Sequence, residues 1–139
     1  HFINYLNPEK IIAGINIEMI GIPQYGINNV FITGTQYSSL PSILKQRSKE
    51  MGIKVKPEPD LRKRLFQRSD NYTFAKAGVP AHTIMSSDDN DKCYHKPCDE
   101  VQRINIPHMT QVIRTIAVIS ESIIRGKETP TRVKVEDLR

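Results

Sequence analysis

The chain has 139 residues, enough for one domain with a core of its own. Its 38% hydrophobic content and modest net charge of +5 exclude a disordered tail. No apolar run approaches the roughly 18 residues that a membrane helix needs, so no membrane partner is expected. The start at His1, without an initiator methionine, is expected of a processed, truncated or excised segment.

Residues HFINYLNPEK read as a helix end with Asn7 and Pro8 as the breaker. IIAGINIEMIG, 11–21, is β-branched and apolar without polar alternation, which predicts a strand buried on both faces. Glu18 stands out in it, because a carboxylate at the end of a buried strand needs a cation, a hydrogen-bond network or exposure. A turn-rich stretch leads to a short strand, 28–35. SSLPSILKQRSKEMG predicts a helix, with Ser38 or Ser39 as cap, Pro41 in the first turn and Gly52 at the far end. A short strand is expected at 53–55.

The densest basic stretch, KVKPEPDLRKRLFQR at 54–68, is broken by Pro57, Glu58, Pro59 and Asp60. It reads as a solvated connector, so no nucleic-acid partner is expected. SDNYTFAKAG predicts a short helix capped by Ser69 or Asp70 and ended by Gly78. VPAHTIM, 79–85, reads as a strand in which His82 is structural. SSDDNDKCYHKPCDE is a long polar loop of the kind that displays sites. In the stretch 104–126, Met109, Val112, Ile113, Ile116, Ile119 and Ile123 recur at helical spacing, with His108 at its solvated start. The tail 127–139 is polar and reads as a strand or as disordered.

This order predicts an α/β fold, a partial three-layer sandwich with a mostly parallel or mixed sheet flanked by helices. Residues 1–126 form its domain and 127–139 a polar tail. Ligands collect at the carboxyl ends of strands in such sheets. Glu18 ends one strand, His95 lies in the loop leaving another, and Asp70 caps a helix entering the same unit. The two cysteines, Cys93 and Cys98, flank His95 and are too few for a zinc knuckle. A disulfide between them and two free thiols both remain open at this point.

INIEMIG, LFQRSDNYTFAKAGVPA and YHKPCDE resemble, in order and spacing, the last three signature blocks of the zinc aminopeptidases with a co-catalytic metal pair. That superfamily includes glutamate carboxypeptidase and glutaminyl cyclase relatives, and the resemblance covers about residues 11–125. It implies that Glu18 ligates one of two zinc ions and His95 the other. It implies that Asp70 contacts substrate or supports a ligand, with Arg68 facing the same cleft. A peptide is the implied substrate, and hydrolysis of its N-terminal residue the implied reaction. A periplasmic or extracellular location is what the family suggests.

The departures from the pattern are specific. Glu18 replaces an aspartate, Asn71 a histidine, and Cys98 a common threonine. Phe66 stands where some members carry a tyrosine that stabilises the tetrahedral intermediate. None of the four histidines begins a His-x-Asp, and no Glu-Glu pair occurs. The family's general base and most of its metal ligands come from those blocks. The chain thus resembles the C-terminal half of the peptidase domain, expected to be inactive alone and to self-associate through an exposed sheet edge. A glutaminyl cyclase-like enzyme, with position 18 shuttling protons, is an alternative. A noncatalytic binding domain of the same fold is another.

Overall fold

The computed structural model describes residues 6–138. Its centre is a four-stranded mixed sheet formed by β1 (Gly14–Ile17), β2 (Asn29–Ile32), β3 (Lys54–Lys56) and β4 (Ala81–Met85), in the order β1-β4-β2-β3. β1 lies parallel to β4, with Gly14 opposite Ala81 and Ile17 opposite Ile84. β2 lies parallel to β3 and antiparallel to β4. The expected α/β fold is therefore present, with the sheet mixed.

Strand alternation separates two packed layers. Val30, Ile32 and Ile84 join Leu40 and Leu44 of α1 (Leu40–Ser48) and Val112, Ile116 and Ile119 of α4 (Ile106–Ile119) in the main core. Phe31 and Met85 face the other way and pack on Leu65, in α2 (Leu65–Arg68). Each such aliphatic side chain contributes about 1.5–3 kcal/mol when fully buried. α3 (Asn71–Ala75) packs on β4 and β1.

Several expectations change in detail. β1 covers four residues, not eleven, and Ile17 is 45% exposed. The reason is its place in the sheet: among the described residues β1 has a neighbour, β4, on one side only. The expected connector at 56–68 contains a 3-10 turn at Leu61–Lys63 and α2, because Leu65 and Phe66 have apolar surfaces to bury against. The expected single helix 104–126 breaks at Ser120, whose hydroxyl donates to the Ile116 carbonyl at 2.6 Å, and resumes as α5 (Glu121–Ile124). His108 is buried, not solvated: it is 1% exposed, and its Nδ1 accepts the Asn28 N–H at 3.0 Å.

The reading of HFINYLNPEK falls largely outside the described residues. From Asn7 the chain makes a 3-10 turn, Pro8–Lys10, in which the Asn7 carboxamide accepts the Glu9 N–H at 3.0 Å. The tail is neither a strand nor loose. Val133 and Leu138 are buried against Phe66 and Ala75, and the Val133 N–H donates to the Gly78 carbonyl at 3.2 Å. Ser39, at the start of α1, exchanges two 2.9 Å hydrogen bonds with Thr131 of this tail.

His82 is structural. Its Nδ1–H donates to the Thr33 carbonyl at 2.9 Å, which leaves Nε2 to accept from the Ser38 hydroxyl at 2.7 Å. Burial pushes its pKa down to about 4, so the ring is neutral.

Candidate metal centre

Glu18 follows β1 directly, and its N–H still bonds the Ile84 carbonyl at 3.3 Å. Its carboxylate is half-buried. Asn16 Nδ2 donates to Oε2 at 2.7 Å, and the Ser69 hydroxyl lies 3.4 Å from Oε1 while its shorter bond, 3.0 Å, goes to the Leu65 carbonyl. Asn16 and Glu18 are two apart on a strand, so they share a face. Asn16 also donates to Thr83 Oγ1 at 3.0 Å, Thr83 donates to Asn71 Oδ1 at 2.8 Å, and Asn71 donates to the Ala81 carbonyl at 3.2 Å. A buried polar chain thus runs from α3 through β4 to the Glu18 carboxylate. Asn71, the residue in the place of the family's histidine, is its anchor.

Among the described residues no Lys, Arg or His pairs with Glu18. A carboxylate held by neutral donors alone is a group that can accept a cation. His95 lies beyond the carboxyl end of the parallel neighbour β4. It is exposed, holds a left-handed φ of +54° and stacks on Tyr94 with ring centroids 3.9 Å apart. Glu18 and Tyr94 line one hollow of about 380 Å³. Ile17, Met19, Ile22, Ile104 and Met109 form apolar walls, Ser87, Asp91 and Asp99 form polar ones, and His95 does not line it. Cys93 and Cys98 form a disulfide, which resolves that open question.

Arg68 and Asp70 have other partners. Arg68 donates to Asp89 Oδ2 at 2.9 Å and so ties α2 to the loop that carries His95. Asp70 occupies the cap position of α3 but makes no cap hydrogen bond with its side chain, against expectation. It is exposed and borders a separate hollow of about 260 Å³ beside Gly14, Asn16 and Phe74. Ser69, between them, is the residue of this trio that reaches Glu18.

The start of the His95 loop is fastened by ion pairs. Asp88 is fully buried. Burial opposes its ionisation, but hydrogen bonds from the Asn90 N–H, Gln24, Tyr25 and Lys63 outweigh that and hold its carboxyl below the usual range. Lys63 also pairs with Asp89, whose pKa is lowered by Lys63 and Arg68. Asp91 accepts from Arg103 Nη2 at 2.7 Å.

Sequence reasoning missed Asn16, Ser69, Tyr94 and the Asp88–Lys63 anchor. The two-residue spacing of Asn16 and Glu18 on a strand was the available signal for the first. The partners of Ser69 and Lys63 lie 51 and 25 residues away, and no local pattern marks them.

The chemistry of the donors suits zinc, which accepts carboxylate and imidazole. Glu18 and His95 are the residues that would hold it. The described residues contain no cluster of three His, Cys, Asp or Glu side chains placed to hold an ion.

Glu18 and His95 both follow the carboxyl ends of adjacent parallel strands, where ligands collect in α/β sheets. The chain matches the family model Peptidase family M28 over residues 1–120, and it belongs to that family. The family is one of peptidases and is generally zinc-dependent. No curated protein and no solved structure matches the chain.

Proposed function

We propose that this chain is the part of a zinc-dependent exopeptidase, an aminopeptidase, that contributes Glu18 and His95 to the metal centre and does not hydrolyse peptides by itself. The observation that carries the reading is the Glu18 carboxylate. It is held by Asn16, has no cationic side chain paired with it among the described residues, and lines the same hollow as Tyr94, the neighbour of His95 in the chain. Zinc, when bound, supplies Lewis-acid polarisation of the scissile carbonyl and an activated water.

The chain's own residues would orient that site. Asn16 and Ser69 aim the carboxylate, and the loop 86–100 presents His95. The walls Ile17, Met19, Ile22, Ile104 and Met109 favour an apolar side chain on the bound peptide. Tyr94 offers a hydroxyl with no hydrogen-bond partner among the described residues. The remaining metal donors and the general base come, on this reading, from another segment or chain. The disulfide supports an exported, oxidising location.

The test is zinc content of the purified chain after dialysis, beside Glu18→Ala and His95→Ala. Zinc retained by the parent and lost from both variants supports the assignment. Peptidase assays of the chain combined with its missing donors then follow. Zinc retained equally by both variants would remove Glu18 and His95 from the site. A combined protein that binds no zinc would favour a noncatalytic domain of the same fold.

A further inference from the structure

The loop carrying His95 is anchored by buried contacts only before His95. Cys93 is 4% exposed, and its N–H donates to Asp91 Oδ1 at 2.9 Å. Asp91 is in turn gripped by Arg103. Beyond Cys93 the contacts are exposed ones: residues 95–100 are all exposed, Lys96 Nζ donates to the Lys92 carbonyl at 2.8 Å, and Arg103 Nη1 donates to Asp99 Oδ1 at 3.3 Å. The backbone between the cysteines makes a turn, with the Lys96 N–H donating to the Cys93 carbonyl at 2.9 Å. The His95 ring makes no hydrogen bond among the described residues, only the stack on Tyr94. Yet His95 holds a left-handed φ of +54°, a conformation that a residue with a Cβ rarely adopts.

None of these hydrogen bonds is made by the His95 side chain, and the restraint that encloses it is covalent. The Cys93–Cys98 bond closes a six-residue ring around His95, with the Cα atoms 5.3 Å apart. Closing a ring removes the extended alternatives that the free loop would otherwise sample.

We propose that the Cys93–Cys98 disulfide is the positioning element of His95 and makes the site sensitive to thiol reductants. This rests on the reading of His95 as a ligand. A dithiol reductant would attack through its thiolate at the sulfur of the exposed Cys98. The Cys93–Cys98 bond breaks, and Cys93 leaves as a thiolate that takes up a proton. The second thiolate of the reductant then displaces Cys98, which is protonated in turn. The protein gains two electrons and two protons, and the reductant becomes a disulfide. His95 is then free to leave the left-handed conformation and the Tyr94 stack.

Proton NMR of the histidine rings in the full chain tests this without any metal. His95→Asn assigns the His95 signals. In the oxidised chain the Tyr94 ring current shifts them upfield. Reduction with dithiothreitol, or the substitution pair Cys93→Ser and Cys98→Ser, is expected to return them to the positions of free histidine. The buried His82 and His108 signals should stay where they are. His95 signals that keep their upfield position after reduction overturn the proposal. Collapse of the His82 and His108 signals as well overturns it too, because the disulfide would then support the whole fold.

Zinc titration separates this from the ligand reading. It is run on the oxidised chain and on the double serine variant, since free thiolates would themselves take zinc. Binding about tenfold or more weaker in the variant is the expected result. Equal zinc affinity in both overturns the switch. Zinc binding in the oxidised chain that does not depend on His95 overturns the ligand reading, while the NMR result still decides the positioning.

Discussion

At the scale of single residues, Gly34 shows most plainly why its side chain is missing. It has a φ of +65°, and a Cβ there would lie 2.2 Å from Cδ2 of Phe66. Phe66 cannot yield, because Tyr37, Tyr72 and His82 pack around its ring. Gly52 has a similar φ of +72° but open space where a Cβ would go. Gly34→Ala therefore combines backbone strain with overpacking, and should cost on the order of 3 kcal/mol. Gly52→Ala meets only the backbone term and should cost about 1 kcal/mol. Urea unfolding of the two variants checks this, and equal losses at both positions would refute the role given to Phe66.

At the scale of elements, α4 was legible because its apolar residues follow a helical period, and β4 because a short run buried on both faces lies between Gly78 and a polar loop. β1 was read too long, since the Ile-rich run carries its composition past the point where Glu18 and Met19 leave the sheet. α2 was hidden among prolines and charges, and only the distant Phe31 and Met85 make Leu65 a core residue. The family membership was legible through its motifs, and those motifs are what single out Glu18 and His95. Asn16, Ser69 and Lys63 were not, because their partners are brought to them only by the fold.

The break in the last helix was invisible for another reason: Ser120 keeps the apolar period intact on either side. Its hydroxyl competes for the Ile116 carbonyl, which also accepts the Ser120 N–H at 3.1 Å. Ser120→Ala leaves that carbonyl satisfied and adds helix propensity. Stability should stay within about 0.5 kcal/mol of the parent or rise, as measured by thermal unfolding. A loss above about 1 kcal/mol would mean that the hydroxyl is needed.

At the scale of the whole molecule, acid sensitivity follows from two sets of groups. Burial holds the His82 pKa at about 4, and burial also lowers that of His108, against roughly 6.5 in an unfolded chain. As the pH falls from about 6.5 towards 4, the unfolded chain takes protons that the folded one refuses, so stability declines. From His82 alone the loss should reach roughly 3 kcal/mol near pH 4. The paired carboxylates Asp88, Asp89 and Asp91 have lowered pKa values, and the stability they contribute is lost at still lower pH, as they become protonated. Urea midpoints at pH 7, 5.5 and 4.5 should fall steadily, and a flat profile would refute the buried neutral histidines.

The parallel pairing of β1 with β4 also has a meaning in time. Asn16 and Thr83, which meet across that pair, are 67 residues apart in the chain. At a synthesis rate of roughly 5–20 residues per second, β1 waits for seconds on the ribosome before its partner exists. Glu18 emerges early and its supports emerge late. The carboxylate cannot be aimed until the strand after α3 has been made, so the candidate site is among the last features to form.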